Sequence, residues 1–330
     1  MEYRTLGSTG LKVSALGFGC GAVGGLLVRG EYPAMRRAVA RAVELGINYF
    51  DTASMYGSGQ SEANLGAILR ELGAPVLVGT KVSLGPEELE RAAEAVAAHA
   101  EASLRRLGRE CADLLYFHNF LGLQRQKSQA GIADLEPVLR ALEKLRQEGK
   151  ARYLGFNGLG DTGAVHQGLS LGFHALQTCY NLLNPTAGRV APADFPFQDY
   201  RQLIDRAAAQ GKGVVAIRVL AGGALSGSAE RHPVGAAQVG PISTSADYAA
   251  DVERARRFSF LVEEGHAGSL AEAAVRFALG QEGISSVLVG ISSIEQLEAA
   301  AQAQAKGPLP QALLGRLEEV WKGLGREEGR

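Results

Sequence analysis

From about residue 16 onward one pattern repeats along the chain: a short apolar run, a few polar or glycine positions, then a longer stretch with helical spacing. The apolar runs are rich in Val, Ile and Leu and do not alternate with polar residues, as expected of parallel strands buried on both faces. Eight such runs occupy 15–19, 47–50, 76–80, 113–117, 151–156, 175–177, 213–218 and 286–289. The helices between them have legible ends. Pro33 opens one whose apolar face is Met35, Val39 and Val43, and Gly46 stops it. Pro86-Glu87-Glu88 starts another, with Leu89, Ala93, Val96, Ala100, Leu104 and Leu107 on one face and Gly108 beyond its end. A third runs over 135–148 and is closed by Gly149. Strand then helix, eight times, predicts an α/β fold of the (β/α)8 TIM barrel type, with a doubly wound sheet as the competing architecture. No linker, charge block or low-complexity tract marks a second domain, so residues 1–330 are expected to form one.

Three segments break the rhythm. Residues 3–6 and 12–14 flank the turn-rich Gly7-Ser8-Thr9-Gly10, which predicts an N-terminal β-hairpin placed to plug the barrel. The segments 118–134 and 221–246 are too long for plain connections. In a barrel both follow strands, and so reach the C-terminal face where active sites are built. Residues 308–330 read mostly as a helix with a charged end.

Composition narrows the partners. With 34 Lys+Arg against 35 Asp+Glu there is no excess of cations to neutralise a nucleic-acid backbone. No apolar run reaches membrane-spanning length, and the opening residues lack the apolar segment of a signal peptide, so a cytoplasmic location is expected. Three scattered cysteines, Cys20, Cys111 and Cys179, suggest a reducing compartment, and neither a disulfide framework nor a metal site is expected. Oligomeric state leaves no mark in the sequence. Gly19-Cys20-Gly21-Ala22-Val23-Gly24 fits a dinucleotide fingerprint in spacing but not in context. The chain continues as loop, and the next helix is expected only near Pro33. The glycines there read better as a loop against which something packs closely.

Four ionisable residues sit at or just after predicted strand ends: Asp51, Tyr56, Lys81 and His118. Singly each has an ordinary explanation as a turn cap, a packed ring or a solvated charge. Together they form a working unit. A tyrosine hydroxyl is a weak acid at neutral pH, and an adjacent ammonium stabilises its phenolate. An aspartate keeps that ammonium charged, and a histidine polarises the substrate oxygen. Such a kit transfers a proton to a carbonyl oxygen while hydride reaches the carbon. Since side chains donate no hydride, a redox cofactor is implied.

At these residues the chain resembles the aldo-keto reductase family. The most specific stretches are Gly46-Ile47-Asn48-Tyr49-Phe50-Asp51-Thr52-Ala53, Tyr56-Gly57, Ser61-Glu62, Gly149-Lys150-Ala151-Arg152-Tyr153-Leu154-Gly155 and Gln177-Thr178-Cys179-Tyr180-Asn181-Leu182-Leu183. The resemblance implies a (β/α)8 barrel that binds an extended nicotinamide dinucleotide, with the family's catalytic tetrad at Asp51, Tyr56, Lys81 and His118. It also implies cofactor contacts from Gly19, Cys20 and Gly21, and from Asn157 and Gln177 toward the carboxamide. Further contacts are expected from Ile217, Arg218, Leu220 and Gly222 after the seventh strand, and from Gly290, Ser292, Ser293 and Gln296 at the adenosine end.

The chain departs from the family pattern in three places. Asn157-Gly158 stands where Ser-Asn is usual. Ile217 stands where a tyrosine commonly stacks on the nicotinamide. Arg218 introduces a cation that either reaches the pyrophosphate or pairs with a carboxylate. The family favours NADP, yet no cation stands between Gly290 and Gln296, so NAD or dual use is the alternative. The substrate is expected to be a small aldehyde, ketone or sugar, met by Leu26, Asn119 and Phe120. Two other classes compete: a Schiff-base lyase using Lys81, and a non-catalytic nucleotide-binding regulatory subunit.

Overall fold

The structure is a computed structural model that describes residues 1–127, 129–240, 242, 244 and 247–324. The charged end, 325–330, and part of the 221–246 segment lie outside the described residues. Eight parallel strands close into a barrel: β3 (Leu16–Gly19), β4 (Tyr49–Asp51), β5 (Leu77–Val82), β6 (Ala112–Phe117), β9 (Ala151–Asn157), β10 (Ala175–Cys179), β11 (Gly213–Ile217) and β12 (Ile284–Gly290). All eight apolar runs became strands, with ends displaced by up to two residues. An antiparallel hairpin, β1 (Tyr3–Thr5) and β2 (Lys12–Ser14), precedes them as expected.

Apolar residues divide into two cores. The larger lies between strands and surrounding helices. The smaller fills the barrel interior, where Leu6, Leu11 and Val13 of the hairpin region meet Leu114, Ala175, Val215, Leu288, Tyr49 and Tyr116. The hairpin is therefore a plug, tied down where Ser8 N–H donates to the Gly211 carbonyl and Tyr153 O–H to the Thr9 carbonyl.

Three expectations change in the structure. The helix expected from Pro86 breaks at Arg91 into Pro86–Glu90 and Ala92–Leu107. The break turns the second helix so that Ala92 and Ala95 are buried while Ala93 is exposed. The segment 118–134 contains two short parallel strands, β7 (Phe120–Gly122) and β8 (Gln129–Gly131), and the helix Ile132–Gln147 begins earlier than expected. A third long connection, 180–202, runs without helix or strand between β10 and the helix Leu203–Ala209. Side-chain amides organise it: Asn181 Oδ1 accepts from the backbone of Leu183 and Asn184, and Asn184 Oδ1 accepts from Thr186 N–H and hydroxyl. At the C-terminal side the helix Leu314–Gly323 packs Trp321 edge-on to Phe277, and its indole N–H donates to the Leu182 carbonyl at 2.7 Å. Among the described residues no helix is long and apolar enough to cross a membrane.

Candidate active site

Asp51 ends β4, Lys81 lies near the end of β5 and His118 follows β6 directly, so the barrel brings three of the four candidate side chains to one rim. Tyr56 reaches the same point from the turn after β4. That turn is held by Tyr56 N–H on the Ala53 carbonyl and by Ser61, whose hydroxyl contacts Thr52 and the Cys20 carbonyl. It closes through Gly57 at φ +62°, where a Cβ would stand 2.6 Å from the Val28 side chain.

The Lys81 ammonium donates to Asp51 Oδ1, to the Thr52 carbonyl at 2.7 Å and to the Tyr56 hydroxyl at 3.2 Å. Burial works against its charge, but Asp51 and Tyr56 outweigh that and hold its pKa above the ordinary lysine value. All three N–H bonds are spent and the charge is retained, an arrangement that opposes Schiff-base chemistry, which needs a free amine. Burial pushes the Tyr56 phenol up; Lys81 pulls it down and Asp51 pushes it up. The net direction is upward, against the expectation that Lys81 would dominate. Tyr56 is thus fully protonated at neutral pH, with the group that stabilises its phenolate already in contact.

His118 faces Tyr56 edge-on, with ring centroids 5.9 Å apart. Its Nδ1 is buried without a hydrogen-bond partner. Burial, with the Lys81 charge beside it, pulls its pKa down to about 3, so the imidazole is neutral. An unfolded chain takes up that proton near pH 6.5, and the folded one only near pH 3. Stability should therefore fall as pH drops through that window, by about 2–3 kcal/mol at about pH 4.5. Melting curves between about pH 7 and 4.5 test this: the parent should lose stability more steeply than His118→Asn, and equal slopes would assign the acid sensitivity to other groups.

The remaining candidates divide. Gly21 lies against the Tyr56 ring, where a Cβ would stand 3.8 Å away. Cys20 is buried and donates its N–H to the Asp51 carbonyl. Gly19 packs on the Val289 carbonyl and Gly24 on the backbone of Gly290 and Ile291. The close partner of the glycine loop is thus the end of β12. A one-turn helix, Leu26–Arg29, follows that loop sooner than expected. Asn157 lies at the end of β9 and donates to the His118 carbonyl.

Several residues have other employment than expected. Gln177 directs its amide N–H at 2.5 Å to Asp51 Oδ2, bracing the aspartate. Asn119 pairs its amide with the backbone N–H and carbonyl of Leu84, and Leu26 is buried in the larger core. Phe120 stays partly exposed. Sequence reasoning missed Asn181, whose amide holds the Arg218 carbonyl, and Glu62, whose buried carboxylate joins Thr80 of β5 to Arg106. The Asn-x-x-Asn spacing and the acid one residue after Ser61 were the available signals.

Three arginines, Arg29, Arg218 and Arg231, stand on the segments after β3 and β11. Arg218 has φ +57° and bonds the Gly240 carbonyl at 3.3 Å. Arg231 bonds the carbonyls of Ala236 and Gly222, and Arg29 those of Val234 and Ala22. Among the described residues no carboxylate pairs with any of the three. Burial lowers the Arg218 pKa from the ordinary arginine value. Ile217 and Leu220 are half-buried nearby, and Gly222 takes φ +71° beside the Arg218 guanidinium. At the other end Gly290 is exposed, Ser292 donates its hydroxyl to the Gly24 carbonyl, and Ser293 caps the helix Ile294–Ala305. Gln296 Oε1 accepts the Ser292 N–H. An orphaned imidazole nitrogen, a glycine facing Tyr56 and three guanidiniums that no carboxylate among the described residues neutralises fit a nicotinamide dinucleotide and its phosphates.

Comparison with known proteins finds relatives that span most of the chain. The Arabidopsis thaliana protein named L-galactose dehydrogenase is 30% identical over 312 residues, spanning 90% of this chain and 86% of its own. A putative voltage-gated potassium channel subunit beta of Schizosaccharomyces pombe is 31% identical over 199 residues, 57% of this chain and 52% of its own. An aldo-keto reductase from Bacillus halodurans, solved in its holo form, shares the fold with a TM-score of 0.71 at 24% identity, covering 97% of this chain and 96% of its own. Residues 15–322 match the Aldo/keto reductase family, and the chain belongs to that family.

Proposed function

We propose that this chain is a nicotinamide-dependent oxidoreductase that interconverts an aldehyde, ketone or sugar carbonyl with its alcohol, using Tyr56 as proton donor and acceptor. The observation that carries this reading is the contact line from Asp51 through Lys81 to Tyr56, opening toward the unpartnered His118 nitrogen. In the reducing direction the Tyr56 O–H gives its proton to the carbonyl oxygen. Lys81 stabilises the phenolate that remains, and Asp51 keeps Lys81 charged and in place. The neutral His118 ring offers an N–H to the same oxygen. A bound nicotinamide dinucleotide would supply or accept the hydride at carbon. Oxidation runs the same proton path backwards, with the Tyr56 phenolate taking the alcohol proton.

Asn157 would meet the carboxamide, Ile217 one ring face, and Arg218 with the small residues around Gly222 the pyrophosphate. Gly19, Cys20, Gly21 and Leu220 would complete the contacts around the nicotinamide. The adenosine end falls to Gly290, Ser292, Ser293 and Gln296. A reductase and dehydrogenase screen of aldehydes, ketones and sugars with both dinucleotides tests the activity. A protein that binds dinucleotide yet turns over none of them is instead a non-catalytic subunit, a reading favoured by the similarity to a channel beta subunit.

Cofactor choice follows from the adenosine end. The segment from Gly290 to Gln296 carries no cation, and the Ser292 hydroxyl and N–H are already partnered, so on that segment discrimination for a 2′-phosphate rests on a few neutral donors. Each contributes about 0.5–1.5 kcal/mol. Both dinucleotides should bind, with NADP(H) favoured by no more than about a hundredfold, about 2.7 kcal/mol. Fluorescence titration of both measures this, and a preference of several thousandfold would move the phosphate site to another cation.

A further inference from the structure

Beneath Asp51 the barrel holds two tyrosines that the chemistry above does not use. Tyr49 precedes Asp51 by two residues on β4, and Tyr116 precedes His118 by two on β6, so strand alternation turns them toward the interior. Both rings lie in the interior apolar cluster and are buried at 0% and 1% exposure. The Tyr49 hydroxyl donates to Asp51 Oδ2 at 3.2 Å and lies 3.3 Å from the Tyr116 hydroxyl. The surrounding strands leave room for them. A Cβ on Gly79 would stand 2.8 Å from the Tyr49 hydroxyl, one on Gly155 2.3 Å from the Tyr116 ring, and one on Gly17 3.2 Å from the Tyr49 ring. Two phenylalanines would fill the same volume without the cost of burying hydroxyls. The hydroxyls therefore need a purpose, and their common endpoint is Asp51.

We propose that Tyr49 and Tyr116 are positioning residues that hold the Asp51 carboxylate in the orientation that keeps Lys81 against Tyr56. This rests on the reading of Tyr56 as proton donor. Asp51 Oδ1 takes the Lys81 ammonium, while Oδ2 takes Tyr49 and Gln177, so both oxygens are committed and the carboxylate plane is fixed. The Tyr49 proton is spent on Asp51. A proton shared between the two tyrosines then comes from Tyr116 O–H to the Tyr49 oxygen, which orders them as a relay. Donors on Oδ2 also draw the carboxylate's charge toward the barrel floor and away from the Tyr56 phenolate.

Tyr49→Phe and Tyr116→Phe keep the rings and remove the hydroxyls. The expected result is a kcat lowered about tenfold or more by Tyr49→Phe and less by Tyr116→Phe, with KM and dinucleotide affinity unchanged. The double variant should fall no further than Tyr49→Phe, and the Tyr56 limb of the pH profile should move upward. Variants that lose only melting temperature, with kcat and that limb in place, would overturn the proposal, as would independent, multiplying losses. A readout without turnover separates this from the function itself. With tyrosines labelled with 13C at Cζ, and the Tyr56 signal assigned through Tyr56→Phe, the Tyr56 titration midpoint should rise in Tyr49→Phe. A midpoint that stays in place overturns the positioning role whatever the activity. A midpoint that moves in a protein with no turnover supports that role and overturns only the assigned reaction.

Discussion

Replacing Tyr56 with phenylalanine is expected to lower carbonyl reduction by at least about a hundredfold, the lower end of what a positioned general acid contributes. Dinucleotide affinity should stay nearly unchanged. The ring keeps its edge-on packing with His118 and its contact with Gly21, so only the proton leaves the site. The result is read as kcat with a good aldehyde or sugar substrate, beside a fluorescence titration of the dinucleotide. Phenylalanine offers no O–H in its place, and the neutral His118 ring, far from its own pKa, is a poor substitute acid at pH 7. A variant that retains parental turnover at neutral pH would remove Tyr56 from the chemistry.

Lys81→Met should abolish turnover in the same assay, and Asp51→Asn should weaken it less, because Asp51 reaches the phenol only through Lys81. The double variant should be no worse than Lys81→Met, since residues working as a unit are not additive. Stability should show the same coupling. Removing Lys81 leaves a carboxylate buried without its cation, at a cost of about 3–5 kcal/mol. Adding Asp51→Asn neutralises that carboxylate, so the double variant should melt above Lys81→Met alone. Denaturation of the four proteins beside their kcat values completes both cycles. Losses in kcat that simply multiply would mean that the two residues act on the reaction separately.

The eight strands were legible because a parallel strand buried on both faces is a near-continuous apolar run, and that is written locally in the residues. The plug hairpin was legible because Gly7-Ser8-Thr9-Gly10 leaves the chain few alternatives to a turn. Asp51, Tyr56, Lys81 and His118 stood out for a related reason. Strand ends are local features, and a barrel gathers the ends of all its strands on one rim. The helix after Pro86 was misread because periodicity does not register a single residue such as Arg91 leaving helical geometry at φ −121° and ψ 47°.

What the four groups do to one another was not legible, because burial sets it. The same Lys81 that pulls the Tyr56 pKa down is outweighed by the desolvation of the phenol, which exists only once the barrel closes around it. Amide side chains were the other blind spot. Gln177 and Asn119 each had a plausible ligand in the sequence, and each found a protein partner from a distant strand or loop instead, as did Asn181, to which the sequence assigned no role. The sequence by itself determined the strand–helix alternation, the plug and the identity of the groups at the rim, since each depends on near neighbours in the chain. Only the tertiary structure decided the partners of Asp51, the isolation of Arg218 from any carboxylate among the described residues, and the tyrosine floor. Those depend on which inward-facing residues of eight separate strands meet at the same height in the barrel, a register that no single segment contains.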